Sequence, residues 1–132
     1  MKKIAIKTDK RCGFFDLTRK IEGLLSQGDD GVLFLFCPHT TAGITINEGA
    51  DSDVIADVNN SLTRLIPEKD NYRHIEGNSD AHIKASIIGS SLSIFVEQGK
   101  LILGTWQKVF FCEFDGPRNR EVWVRIVKSL EL

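Results

Sequence analysis

The residues best suited to chemistry are the three histidines, His39, His74 and His82, each set among other polar groups: Pro38-His39-Thr40-Thr41, His74-Ile75-Glu76-Gly77-Asn78 and Ser79-Asp80-Ala81-His82. Neutral imidazoles with carboxylates nearby suit zinc or a similar divalent ion, and three nitrogens with an open fourth position form a catalytic arrangement. Their separations of 35 and 8 residues match no compact ligand motif, so only the fold can bring them together. Each imidazole taken singly is more often a hydrogen-bonded structural residue than a ligand. Asp53 and Asp57 lie one turn apart on a helix face and could hold Mg²⁺ through water. Against that, the helix dipole favours Asp51 and Asp53 in a first turn, and Asp57 fits a solvated surface carboxylate.

Two further stretches could receive an anion. Gly77-Asn78-Ser79-Asp80 opens a helix whose free N–H groups could bind phosphate, with His82 beside them, although glycine and a serine cap are also ordinary helix punctuation. Glu113-Phe114-Asp115-Gly116-Pro117-Arg118-Asn119-Arg120 brackets a tight turn. There Arg118 offers the forked donor that phosphoryl oxygens prefer, or else serves a rim ion pair. There is no Walker loop, Rossmann fingerprint, nucleophile elbow, H-E-x-x-H helix or nucleic-acid motif. Cys37 and Cys112 fall in apolar strands without a basic neighbour, which argues against a nucleophilic thiol.

These residues need elements to hold them. Ile4 and Ile6 alternate as in a half-buried strand, and Leu17, Ile21, Leu24 and Leu25 recur at helical spacing between Asp16 as N-cap and Gly28 as stop. Val32 to Cys37 is an unbroken apolar run, read as a strand buried on both faces that delivers His39 to a sheet end after Pro38. Ile44 and Ile46 alternate with Thr45 and Asn47 in a second strand. Val54, Val58, Leu62 and Leu65 mark a helix of about four turns from Asp51 to Leu65, and a loop follows from Pro67 to Gly77. Ser79 caps a helix ending near Gly89. Its small ridge of Ala81, Ala85 and Gly89 and its bulky stripe of Ile83 and Ile87 should lie against the sheet.

The remainder reads as strands over Leu92–Val96, Leu101–Leu103, Thr105–Asp115 and Glu121–Val127. In the third of these Trp106, Phe110, Cys112 and Phe114 share one face, and Val109, Phe111 and Glu113 the other. Such a strand is central or covered by another subunit. Strands at both ends and helices in the middle third predict an α+β fold.

Composition bounds the rest. The 132 residues are 42% hydrophobic and 27% charged, enough for one domain over 1–132 with a core that needs no disulfide or metal staple. Seventeen Lys+Arg against eighteen Asp+Glu leave a net charge of −1, so no global field draws the chain to nucleic acid or an anionic membrane. Three cysteines without C-x-x-C spacing, no signal h-region and no long apolar run predict a cytoplasmic, reduced protein.

At His39-Thr40-Thr41-Ala42-Gly43-Ile44-Thr45-Ile46-Asn47-Glu48, at His74 to Ser86, at Leu103-Gly104-Thr105-Trp106-Gln107 and at Cys112 to Arg118, the chain resembles the YjbQ-like family nearly end to end and in the family's order. The resemblance implies a β-sandwich or pseudobarrel of mostly antiparallel strands with about three helices, assembled as a homotrimer. It also implies the activity of a secondary thiamine-phosphate synthase, main or accessory, that couples hydroxymethylpyrimidine diphosphate to thiazole phosphate and releases diphosphate. Position by position, the family's histidines fall on His39, His74 and His82, its strand polar pair on Asn47 and Glu48, its acidic helix positions on Asp53 and Asp57, and its C-terminal signature on Thr105, Trp106, Gln107, Glu113 and Arg118. The chain departs from the pattern at Gly49, where a polar residue is commoner, and at Lys108, where a small one is.

On this reading His39, His74, His82, Glu48 and Arg118 are catalytic. The histidines hold a divalent ion, zinc or magnesium, or touch phosphate directly. Asn47, Gly77, Asn78, Ser79, Thr105, Trp106 and Gln107 bind substrate; Asn47 and Glu48 orient the pyrimidine, and Trp106 stacks on a ring or fills an interface. The partners are a small phosphorylated substrate and the chain itself, with no nucleic acid and no membrane. A trimeric binding protein for a phosphorylated metabolite and a metal-dependent hydrolase are the alternatives.

Overall fold

Alternating apolar residues become strands along most of the chain. The computed structural model describes residues 1–130. Its elements are β1 (Lys2–Lys7), β2 (Gly13–Asp16), α1 (Thr18–Glu22), β3 (Gly31–Phe36), β4 (Ala42–Glu48), α2 (Ser52–Leu65), α3 (Ser79–Ile88), β5 (Ser91–Glu97), β6 (Lys100–Leu101), β7 (Gln107–Glu113) and β8 (Asn119–Lys128). Two antiparallel sheets form, one in the order β1-β8-β3-β5-β6 and the other β2-β7-β4. Between them the inward residues Leu33, Leu35, Ile44, Val109, Phe111 and Val122 make the main core. The outer face of β7 presents Phe110 and Cys112, which with Phe114 pack under Ala81 and Ala85 of α3, flanked by Ile55 and Leu62 of α2. The fold is α+β, a curled sandwich with its two longer helices on the three-stranded sheet. No helix among the described residues is long and apolar enough to cross a membrane.

Several expectations need correction. The helix expected from Asp16 to Gly28 is one short turn, Thr18–Glu22, because Gly13–Asp16 is recruited as a strand against Glu113–Phe110 of β7. Asp16 still caps, its carboxylate accepting the Thr18 N–H at 2.9 Å. The run Val32–Cys37 is buried on one face only: Leu33, Leu35 and Cys37 enter the core, whereas Phe34 and Phe36 lie exposed beside Phe95 and Val127. Trp106 falls outside β7 and is 63% exposed, so it does not share the packed face of Phe110 and Cys112. Asn78 rather than Ser79 occupies the cap position of α3.

Helix α3 turns its small residues to the sheet as expected, but not its bulky ones. Ala81 and Ala85 pack inward as their size allows, and a Cβ on Gly43 of β4 would lie 2.7 Å from the Gly89 carbonyl, which shows how closely helix end and strand approach. Ile83 and Ile87, however, face outward at 39% and 62% exposure. The inward positions are held instead by Asp80 and Lys84, buried and paired at 3.1 Å, with Arg11 bidentate on the same carboxylate at 3.0 and 3.1 Å. Burial alone would raise the Asp80 carboxyl. Hydrogen bonds from Arg11 and Lys84 outweigh that and hold it below the usual carboxylate range.

A second buried ion pair joins the two sheets. Glu113, wholly buried at the end of β7, accepts from Arg120 of β8 at 2.9 Å, from Thr8 at 2.8 Å and from the N–H groups of Phe114 and Asp115 at 3.1 Å. Burial pushes its carboxyl up, and these donors overcome that and depress it. A carboxyl lowered in the folded state supports stability above its unfolded pKa and loses that support as pH falls through its folded value. Replacing Glu113 by Gln strands the Arg120 charge, so Glu113→Gln should lose about 3 kcal/mol of unfolding free energy in urea titrations at neutral pH and flatten the acid limb of the stability curve.

Candidate functional site

Strand β3 ends at Phe36, and Cys37-Pro38 carries the chain out of the core to His39. On a neighbouring wall, the first turn of α3 presents His82. Gly77, with φ of +82°, makes the left-handed turn that brings the loop into the helix and places Asn78 at its start. The turn after β7 supplies Asp115 and Arg118, and β8 supplies Arg120. His39, Glu76, Asn78, His82, Asp115, Arg118 and Arg120 line one cleft of about 350 Å³, two carboxylates and two guanidinium groups among them. His39 and His82 also flank an adjoining cavity of about 370 Å³ that runs toward Ser86 and Ser90.

The cleft is held by a continuous hydrogen-bond network. Thr8 accepts from the Arg118 N–H at 2.8 Å while donating to Glu113, and Arg120 donates to the Thr41 hydroxyl at 2.8 Å. Arg118 donates to the Asp115 carbonyl at 2.7 Å and to its carboxylate at 3.1 Å. Asn78 gives its amide N–H to the same carboxylate at 2.9 Å, which leaves Asn78 Oδ1 buried without a partner. The guanidinium of Arg118 is about half exposed, so its free edge can meet an anion.

His39 Nε2 lies 3.0 Å from both the N–H and the carbonyl of Glu121. The neutral ring either accepts from that N–H, with its proton on Nδ1, or donates to that carbonyl, with its proton on Nε2. Burial, and after it the charge of Arg120, lower the His39 pKa below its ordinary value.

His74 stands apart from His39. Its ring packs edge-to-face on His82 with centroids 5.5 Å apart, and its Nε2 is 3.6 Å from the carboxylate of Glu76, which itself lines the cleft. The three imidazoles thus form a row with His82 in the middle. Among the described residues no three His, Cys, Asp or Glu side chains gather as metal ligands. The row therefore does not fit a three-imidazole metal centre in this arrangement.

Asn47 and Glu48 do not join the cleft within one chain. Strand β4 pairs Ala42 with Glu113 at the cleft end and Glu48 with Gln107 at the other. Six residue steps of about 3.4 Å separate the two ends by roughly 20 Å. Glu48 sits there with Trp106, whose carbonyl accepts from Gly49, and Gln107, whose side chain accepts from Gly104 at 2.8 Å; Thr105 belongs to the same turn. Asp53 and Asp57 lie exposed on α2. The departures at positions 49 and 108 explain each other, since a Cβ on Gly49 would come within 2.7 Å of Lys108 Cβ. Reading the sequence missed Arg120, Asp115 and Glu113 as a cleft framework. The available signal was a Glu at the close of an apolar strand followed by an Arg in phase with Val122 and Val124 on the next.

Fold and cleft together define an antiparallel α+β sandwich with a histidine-bearing cleft of mixed charge at one end of its sheets. The chain belongs to the UPF0047 YjbQ-like family, whose model matches residues 2–129. It is 52% identical over 127 residues to a UPF0047 protein of Methanocaldococcus jannaschii, covering 95% of this chain and 92% of that one. It is 47% identical over 130 residues to YugU of Bacillus subtilis, covering 96% and 98%. A crystal structure of a YjbQ/UPF0047-family protein from Clostridium acetobutylicum superposes with a TM-score of 0.92 at 49% identity, covering 96% of this chain and all of that one.

Because the folded pKa of His39 is lowered, the unfolded chain binds the extra proton first on acidification, and stability falls as pH drops through that window. In an NMR pH titration His39 Hε1 should show a midpoint below that of an ordinary imidazole. A midpoint at or above the ordinary value would contradict its burial beside Arg120.

Proposed function

We propose that this chain is a thiamine-phosphate synthase-like transferase that couples hydroxymethylpyrimidine diphosphate to thiazole phosphate, as a main or accessory activity, acting in the cytoplasm as a homotrimer. The observation that carries this reading is the cleft in which His39, Asn78, His82, Arg118 and Arg120, remote in the chain, line one space of about 350 Å³. Its size and donors suit a small phosphorylated substrate.

In the coupling, the thiazole nitrogen lone pair forms a bond to the pyrimidine methylene carbon while that carbon's bond to diphosphate oxygen breaks and the electron pair leaves with diphosphate. No proton has to be removed from the nucleophile. The protein's task is to align two rings and to stabilise charge on the departing oxygens. Arg118 supplies a guanidinium edge, His39 and His82 two imidazoles, and the Gly77-Asn78-Ser79 helix start a dipole of the right sign. Glu113, Asp115 and Arg120 position these groups.

A zinc or magnesium ion, if bound with the substrate, would supply further charge neutralisation. As placed, His39, His74 and His82 do not gather around an ion, so a site on them would need their rearrangement with substrate bound, and chelation followed by metal add-back tests that part. Assembly as a trimer is supported by the exposed apolar face of Phe34, Phe36, Phe95 and Val127, a patch that isolated chains rarely leave to water. Glu48, Asn47, Thr105, Trp106 and Gln107 reach a cleft only if a neighbouring subunit brings them to it.

Two measurements test the proposal. In coupling assays with both substrates, His39→Ala, His82→Ala and Arg118→Ala should each lower turnover by about a hundredfold; wild-type rates in all three would sink the assignment. Phosphate release without thiazole would point to the hydrolase, and tight binding without product to the binding protein. In light scattering the wild type should run at three times the chain mass, and Phe34→Glu with Phe95→Glu should reduce it to the monomer.

A further inference from the structure

We propose that a second cleft, which shares His82 with the first, is a subsite for a planar aromatic or heteroaromatic ring, so that one ligand places its ring there and its phosphate beside Arg118. The pairing of the two clefts rests on the anion reading above; the ring subsite itself does not. This cleft, about 410 Å³, is lined by Tyr72, Arg73, His74, Ser79, His82 and Ile83.

Its walls are preformed. The Tyr72 hydroxyl donates to the Pro67 carbonyl at 2.6 Å and its N–H to the Asp70 carbonyl at 2.8 Å, while Glu68 of the same loop lies 3.5 Å from Arg11. The His74 and His82 rings, both in the lining, brace each other edge-to-face at 85°. Ile83 closes the side with an aliphatic surface that the inward Asp80–Lys84 pair has turned toward solvent. Aromatic faces and edges with an aliphatic wall are what a flat ring packs against, and the guanidinium of Arg73 can stack over it.

His82 lines both clefts, so a ring in one and an anion in the other would be neighbours across a single imidazole. The occupant is therefore a ring carrying its phosphate on a short linker. Trp106 and Asn47, which the sequence pattern offered for ring contact, lie at the opposite end of β4, and Tyr72 with Ile83 takes that role within the chain.

Isothermal titration with inorganic diphosphate, benzyl diphosphate and hydroxymethylpyrimidine diphosphate separates the parts. The ring-bearing compounds should bind about tenfold more tightly than inorganic diphosphate. Tyr72→Ala should erase that gain, and Ile83→Trp, which fills the cleft from an exposed helix position, should do the same. Both should leave the affinity for inorganic diphosphate intact. No gain in the wild type, or a gain that survives both variants, overturns the subsite. If inorganic diphosphate does not bind, the anion reading fails by itself. Hydroxymethylpyrimidine without phosphate then decides the subsite: it should shift the His74 and His82 ring signals in the wild type and not in Ile83→Trp, and unshifted signals overturn it.

Discussion

The buried Glu113–Arg120 pair is the interaction on which the site depends. Glu113 belongs to the three-stranded sheet and Arg120 to the five-stranded one, so their bond clamps the sandwich at the end where the cleft opens. Two charges out of water are tolerated only when their remaining hydrogen-bonding groups are also met, and here Thr8, Thr41 and two backbone N–H groups meet them. Those same partners hold the functional groups: Thr8 grips the backbone of Arg118, and Thr41 lies two residues beyond His39. The clamp and the cleft are one network.

The Asp80–Lys84–Arg11 cluster does similar work for α3. A helix packed through alanines alone would be free to roll about its axis, because small residues bury little area and prescribe little geometry. A carboxylate that must accept from a lysine on its own helix and an arginine outside it has few orientations that satisfy both. The rotation it imposes sends His82 toward His39 and leaves Ile83 and Ile87 on the surface. What looks like a misplaced apolar stripe is the consequence of a satisfied buried charge.

The polar residues divide between two ends of the β4–β7 pair. One end carries the histidines and the paired Arg118 and Arg120; the other carries Glu48, Trp106 and Gln107. An extended strand cannot fold its own ends together, so any chemistry that uses both ends has to be built between chains. The apolar outer face of the larger sheet, with Phe36 packed against Trp123 at 5.7 Å and Phe34 and Phe95 open to solvent, gives such an assembly a surface to bury.

Local pattern was enough to read the α+β class, strands β1, β4, β5, β7 and β8, and helices α2 and α3, because strand and helix periodicity and turn residues act over a few neighbours. The motifs in their order also identified the family. Tertiary structure alone decided that Gly13–Asp16 would pair as a strand and cut α1 short, and that Phe34 and Phe36 would face outward. It decided too that Asp80 and Lys84 would be buried, and that His82 would stand between His39 and His74. These outcomes turn on which β register and which helix rotation satisfy charges far apart in the chain, and no short window of residues contains both partners.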